Sequence, residues 1–236
     1  MVTSQNNQLQ KLPKNLNIEI LQLLTPANPI FSSGREQWVF ERLIYHFRNF
    51  VISSTGAEPQ EMAFFLAKFK GLAHWICNTS STKKGLIIGG SAGIGKTTIA
   101  KALMQFFVQD THYYGSVMQL SAKDVGDYYR YREEGEKWDI FTGKATVVRY
   151  GQPPQPRCKI LFVDDLGMEE DEYRDYGTKT QPMVKLIHDR HERGLVTIFS
   201  TNLGDMEMLR EKYDDRIMDR MNSYCKMFYS LESFRR

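Results

Sequence analysis

The chain has 236 residues, of which 42% are hydrophobic and 25% are charged, a composition that supports one α/β domain with a sizeable core. Its 31 basic and 28 acidic side chains give a net charge of only +3, so any nucleic-acid site must be a local patch. Cys77, Cys158 and Cys225 show no C-x-x-C spacing, which favours reduced thiols over a disulfide framework. Because no apolar run is long enough to span a membrane and the start is polar, we expect a cytoplasmic protein.

The N-terminal quarter is predicted to be helical. Residues 17–24 favour a short helix that ends at the prolines of 26–29, and apolar side chains recur at helical spacing through 35–52. The segment 54–60 is typical of a linker. We therefore predict a small helical appendage over 1–55, which can serve partner binding, and one larger domain over 56–236.

From residue 61 onward the pattern alternates between helix and strand. Helices are predicted over 61–77, 96–108 and 184–193, and strands over 85–89, 116–120, 159–164 and 195–201. Short continuous apolar runs between helices are typical of parallel strands that are covered on both faces. The predicted fold is a doubly wound parallel α/β sheet of the P-loop NTPase class.

A glycine-rich loop follows the first of these strands and opens a helix. Its sequence, GSAGIGKT, satisfies G-x-x-x-x-G-K-[ST], in which the glycines let backbone amides surround phosphates. Lys96 can reach the β- and γ-phosphates, and the Thr97 hydroxyl can bind Mg²⁺. The predicted nucleotide-binding residues are Gly90, Ser91, Ala92, Gly93, Ile94, Gly95, Lys96, Thr97 and Thr98.

Two further strands end in polar residues. KILFVDDLG ends in Asp164 and Asp165, and beside the phosphate loop Asp164 would hold Mg²⁺ while Asp165 would orient or deprotonate water. IFSTN ends in Asn202, which we expect between the loop strand and the acid strand, where it would hold the hydrolytic water or sense the γ-phosphate. An asparagine at a strand end is also an ordinary turn residue. Together these motifs predict hydrolysis of ATP.

The motifs GGSAGIGKTT, FVDDLG, FSTN and YDDRIMDRM resemble the AAA+ ATPases of the DnaC type, which are bacterial and phage replicative helicase loaders, and their IstB-type relatives, which help transposition. The resemblance runs from about residue 60 to 236 and implies an AAA+ domain that uses ATP and Mg²⁺. It also implies the absence of a helical lid, which agrees with the roughly 34 residues that follow Asn202. The terminal SFR is similar to a Ser-aromatic-Arg sequence of this group, and the similarity implies that Arg235 faces nucleotide.

Arg216 and Arg220 are four residues apart and would project from one helix face. The resemblance implies a homo-oligomer in which Arg220, with Arg216 as second choice, reaches the γ-phosphate bound by the neighbouring subunit. Such a finger contributes roughly 10³–10⁵ in rate. The alternative is a solvated pair of arginines with local partners such as Asp219, each pair contributing about 0.3–0.5 kcal/mol.

The segment 123–157 interleaves aromatic and basic side chains between two strands. Aromatic rings stack on bases and cations follow phosphates, and the resemblance implies that single-stranded DNA runs past this region. The DNA-contact hypothesis names Lys123, Tyr129, Arg130 and Arg132. The tyrosines can instead pack in the core.

The leading hypothesis is an ATP-dependent loader that places a replicative helicase on single-stranded DNA. A transposition helper on duplex DNA is the alternative within the same class. A small-molecule kinase and a nucleotide-gated adaptor without hydrolysis belong to other classes. The tandem acids disfavour the kinase, and a phosphate-release assay would reveal the adaptor.

Overall fold

The computed structural model describes residues 34–59, 62–78, 83–91, 93, 95–111, 116–131, 136–147, 155–170, 173–175, 178–203 and 206–230. The predicted helix over 17–24 lies outside these ranges. So do four of the predicted site residues, Ala92, Ile94, Arg132 and Arg235.

Five parallel strands form the main sheet. In chain order they are β1 (Gly85–Gly90), β2 (Val117–Ser121), β3 (Ile160–Asp164), β4 (Val196–Thr201) and β5 (Cys225–Ser230). Their spatial order is β2-β3-β4-β1-β5, and every neighbouring pair is parallel. The predicted parallel α/β sheet is confirmed, and β4 lies between the loop strand and the acid strand as expected. The edge strand β5 was not predicted.

Eight helices in the described ranges surround the sheet. They are α1 (Gly34–Thr55), α2 (Met62–Cys77), α3 (Lys96–Gln109), α4 (Val125–Arg130), α5 (Lys137–Thr142), α6 (Pro182–Glu192), α7 (Met206–Lys212) and α8 (Asp215–Tyr224). Two short antiparallel pairs complete the structure: Thr146–Val147 with Gln155–Pro156, and Tyr173–Asp175 with Thr178–Thr180. No helix in these ranges is long and apolar enough to cross a bilayer.

Each face of the sheet has its own hydrophobic core. Leu86 and Ile88 of β1 pack in the cluster formed with α1, α2 and α3, whereas Ile87 between them packs in the cluster formed with α4, α5, α6 and α8. This alternation follows from the strand period, which sends successive side chains to opposite faces. Residues 160–163 of β3 are all fully buried, as expected for a strand covered on both sides.

Helix α1 packs directly against the larger domain. Its side chains Phe40, Leu43 and Ile44 are fully buried in the same cluster as α2 and α3. At its outer side Arg42 pairs with Asp110, just beyond α3, at 2.8 Å. The predicted boundary at residue 55 therefore falls at the end of a helix that shares the core of the larger domain, and the two-part division stays a prediction.

Arg190 of α6 ties together the amino ends of two strands. Its side chain is fully buried, and it donates to the carbonyl oxygens of Phe141 (2.6 Å), Val196 (2.7 Å) and Lys159 (3.2 Å) and to the Thr197 hydroxyl (2.8 Å). Burial lowers the pKa of Arg190. The guanidinium thus satisfies carbonyl groups from α5, from the residue before β3 and from the start of β4.

Candidate active site

Three predicted motifs meet at the carboxyl edge of the sheet. The glycine-rich loop follows β1, the tandem acids end β3, and Asn202 follows β4, which pairs with both β1 and β3. Because parallel strands end at the same edge, the fold brings the three groups onto adjacent strand ends.

The glycine-rich loop depends on backbone conformations that side chains avoid. Gly90, Gly93 and Gly95 have φ angles of 135°, 91° and 79°. A Cβ on Gly95 would lie 3.1 Å from a ring carbon of Phe65, so both the angle and the space favour glycine there. No side chain caps the amino end of α3, which leaves the positive end of that helix directed at the loop.

Lys96 folds back over this loop. Its Nζ donates to the carbonyl oxygens of Gly90 and Ser91, each at 2.8 Å, and the side chain is only 6% exposed. Within the described ranges the buried Ser91 hydroxyl has no hydrogen-bond partner. Thr97 and Thr98 lie partly exposed in the first turn of α3. An ammonium group held by loop carbonyls, next to an unpartnered hydroxyl, fits a loop that accepts phosphate oxygens.

Ser200 of β4 connects the two acids. Its hydroxyl donates to Asp164 Oδ1 and accepts from the Asp165 amide at 3.0 Å. The Ser200 side chain is fully buried, so neither bond competes directly with bulk water. The sequence includes Ser200 in the IFSTN motif, but only Asn202 of that motif was assigned a role.

Asp165 has a backbone φ of 58°, the one positive value among the non-glycine residues that the structure describes. Its Oδ1 accepts a hydrogen bond from Asn202 Nδ2 at 2.9 Å. Thr201 fixes the same turn from the other side, because its hydroxyl donates to the Leu166 carbonyl at 2.8 Å. The end of β4 therefore orients both carboxylates, and Asn202 contacts one of them directly.

Arg216 and Arg220 lie on α8, whose amino end is capped by Asp214 accepting from the Ile217 amide at 2.9 Å. The Arg216 side chain is exposed and Arg220 is half-buried. Counting only contacts between described residues, neither guanidinium forms an ion pair, so the local pairing with Asp219 does not occur there. Arg216 lies on the exposed side of α8, whereas Arg220 flanks the stripe of buried residues Ile217, Met218, Met221 and Tyr224.

The DNA-contact residues divide into buried and exposed groups. Tyr129 is 8% exposed, and its ring packs against Trp138 with centroids 5.0 Å apart. A ring buried in this way cannot stack on a base, so Tyr129 is not a candidate for DNA contact. Tyr131 is 55% exposed instead. Lys123 and Arg130 are also exposed on the segment that follows the carboxyl end of β2, and Arg130 lies 3.7 Å from Asp127.

Comparison with solved structures identifies the fold. The DnaC helicase loader aligns over 74% of this chain and 94% of its own, with a TM-score of 0.52 and 17% identity. A candidate primosome component from Streptococcus pyogenes serotype M3 aligns over 70% of this chain and 78% of its own, with a TM-score of 0.50 and 19% identity.

The chain shares the parallel α/β fold of these two proteins, which agrees with the P-loop NTPase fold predicted from the sequence. No protein-family model and no curated protein matches it. At these identities the likeness concerns the fold alone.

Proposed function

We propose that this chain is an ATPase that cleaves the β–γ phosphoanhydride bond of ATP. The supporting observation is the meeting of the Lys96 loop, the Asp164–Asp165 pair and Asn202 on three adjacent strand ends. A water oxygen attacks the γ-phosphorus, the bond to the β-phosphate oxygen breaks, and ADP leaves. Asp165 orients the water or accepts its proton, and Asn202 holds the Asp165 carboxylate in place.

Each remaining group has a role that its position supports. Lys96 exchanges the carbonyls of Gly90 and Ser91 for phosphate oxygens, and the loop amides bind the same charge. Thr97 and Asp164 would hold Mg²⁺, with Ser200 fixing the Asp164 carboxylate. When bound, the metal neutralises charge on the β- and γ-phosphate oxygens.

The ATPase acts as a helicase loader on single-stranded DNA. The fold shared with the DnaC helicase loader and the family resemblance of the DDLG and DRIMDRM motifs support this role. Lys123, Arg130 and Tyr131 are each exposed on the segment that follows β2, and two cations and one ring suit phosphates and a stacked base.

Phosphate release tests the ATPase assignment. We expect the full chain to hydrolyse ATP in the presence of Mg²⁺, with specific activity that rises with protein concentration and with added single-stranded DNA. Lys96→Ala should abolish this activity, and Lys101→Ala, a lysine in the second turn of α3, should not. Nucleotide binding without phosphate release would contradict the proposal and favour an adaptor.

A separate binding experiment tests the DNA surface. Anisotropy of a labelled oligothymidine should show weaker binding by Lys123→Ala and Arg130→Ala, and each should reduce the salt slope by about one. Lys226→Ala is the matched control, because this exposed lysine lies near the amino end of β5. Preference for duplex over single-stranded DNA would favour the transposition helper. Capture of a replicative helicase or of a transposase as the binding partner then decides between helicase loader and transposition helper.

A further inference from the structure

A second concave site lies at the opposite edge of the sheet from the phosphate loop. A cavity of about 430 Å³ opens between α1, α2 and the end of α3. Ile160 and Val196, the first residues of β3 and β4, contribute to its lining, and Lys83 and Lys84 precede β1. This volume lies within the range of about 300–1,000 Å³ that is usual for ligand sites.

Buried apolar side chains form the inner wall of the cavity, and polar side chains complete its lining. Val39, Phe106 and Phe107 are buried residues of the core that face it. Two tryptophans, Trp38 and Trp75, complete the lining.

The two tryptophans differ in exposure and in how they are held. Trp38 is 45% exposed. The centroid of its ring lies 5.9 Å from the centroid of the Phe106 ring. Trp75 is fixed because its indole Nε1 donates to the Lys83 carbonyl at 2.9 Å. Exposed tryptophan beside a rigid apolar cavity is typical of the energetic centre of a protein interface.

Cations dominate the polar part of the lining. Arg35, Lys83 and Lys84 contribute basic groups. Among the described lining residues Asp110 is the single acid, and it is engaged by Arg42 at 2.8 Å and by His46 at 2.5 Å. The charge around the cavity is therefore complementary to an acidic ligand.

We propose that this cavity docks an acidic peptide segment of a partner protein, which inserts one aromatic or large aliphatic side chain between Trp38 and Trp75. Its carboxylates pair with the surrounding cations. Peptide is favoured over nucleic acid because single-stranded DNA sites present exposed rings in series along a groove. Here the buried walls fit a single apolar group. The proposal goes beyond the ATPase function and does not require it.

Tryptophan fluorescence provides a direct test, because the chain has three tryptophans and two of them line the cavity. The third, Trp138, is 2% exposed in the other core and is replaced in a Trp138→Phe reference protein. The probe is a capped peptide with a central phenylalanine flanked by acidic residues. There are three matched probes. The first peptide has alanine in place of the central phenylalanine, and the second has lysines in place of the acidic flanks. The third probe is an oligothymidine.

We expect a saturable change in emission with the acidic phenylalanine peptide, and at least about tenfold weaker binding of every matched probe. Arg35→Glu combined with Lys84→Glu should weaken that binding by roughly tenfold, as two lost ion pairs predict. Arg210→Glu, an exposed arginine on α7, is the control and should change nothing. Unchanged urea denaturation midpoints in these variants show that they are folded.

Three results would overturn the docking site. They are equal binding of the lysine-flanked peptide, tighter binding of oligothymidine at the pocket tryptophans, and no saturable change with the acidic phenylalanine peptide. None of these results bears on the ATPase proposal, because the proposed ATP site lies at the opposite edge of the sheet from the cavity.

Discussion

At the scale of single residues, Asp165 keeps a backbone conformation that costs stability. A non-glycine residue at φ 58° costs on the order of 1–3 kcal/mol, although aspartate and asparagine tolerate it better than most residues. The turn places the Asp165 carboxylate where Asn202 contacts it at 2.9 Å. Glycine would adopt this angle without strain, so the position retains an acid against its conformational preference.

Asp165→Asn separates the chemistry from the strain. Asparagine tolerates the same φ, and its amide oxygen can still accept from Asn202, so the denaturation midpoint should stay close to that of the parent chain. Hydrolysis should fall by about 10²–10⁴, because the amide cannot accept a proton from water. Urea titration and phosphate release measure the two effects. Substantial hydrolysis by Asp165→Asn would exclude Asp165 as the base.

Ser200→Ala tests the connection between the acids. The substitution removes one hydrogen bond to the Asp164 carboxylate and one from the Asp165 amide. A hydrogen bond to a charged group contributes about 1.5–3 kcal/mol, so we expect at least about a tenfold lower kcat and a higher Mg²⁺ requirement.

Titration of Mg²⁺ at saturating ATP checks the Ser200→Ala effect. Ser53→Ala is the control, because the Ser53 hydroxyl is exposed and donates only to the Phe50 carbonyl of its own helix, at 2.9 Å. An unchanged Mg²⁺ dependence would mean that Ser200 stabilises the turn without positioning the Asp164 carboxylate.

At the scale of elements, the Arg190 side chain on α6 holds the amino ends of β3 and β4 together. Arg190→Lys keeps the charge but cannot supply donors to carbonyls on several sides, so buried acceptors lose their partners. We expect a loss of about 3 kcal/mol or more in the free energy of unfolding, measured by urea titration. Arg193→Lys, at the exposed end of the same helix, should lie within about 0.5 kcal/mol of the parent chain. Equal stability of the two variants would contradict this role.

The sequence predicts the elements that have strong local patterns. Strands β1, β3 and β4 are almost wholly buried and mostly apolar, and α3 follows its glycine loop, so pattern and motif agree there. Strand β5 was missed because CKMFYS mixes polar and apolar residues and follows α8 without an intervening turn.

The roles of some residues could not be predicted from the sequence because they depend on contacts between segments that are distant in the chain. The role of Arg190 depends on carbonyls from residues far away in the chain, and a lone arginine in a helix is usually exposed. Likewise, helical spacing places Tyr128 and Tyr131 on one face but does not say that Tyr129 is the ring in the core. The sequence could place Lys96, Asp164 and Asn202 near one another because each lies at or shortly after the carboxyl end of a strand, and parallel strands end at the same edge of the sheet.

At the scale of the whole molecule, the carboxyl edge carries the proposed ATP site, and α8 presents Arg216 and Arg220 without ion-pair partners among the described residues. Among the described residues no carboxylate neutralises these two guanidiniums, which is compatible with a role at a subunit interface. This arrangement supports a homo-oligomer in which one subunit completes the site of the next, with Arg220 as the finger and Arg216 as second choice.

Mixing two inactive variants tests this shared site. Lys96→Ala removes the phosphate-binding ammonium, and Arg220→Ala removes the proposed finger, so each alone should lose roughly 10³-fold or more in hydrolysis. In a mixed oligomer, an intact loop on one subunit can meet an intact arginine on the next. Random assembly of an equal mixture should then restore about one quarter of parental activity, because each site needs both intact partners in the right order.

The Arg216→Ala variant shows which arginine reaches across. If it loses as much activity as Arg220→Ala and also complements Lys96→Ala, both guanidiniums act at the interface. Specific activity should rise with protein concentration in the parent chain, since dissociated subunits lack the finger. Hydrolysis that is independent of concentration, unaffected by Arg220→Ala and not restored by mixing would place both arginines on a free surface, and a self-contained active site would follow.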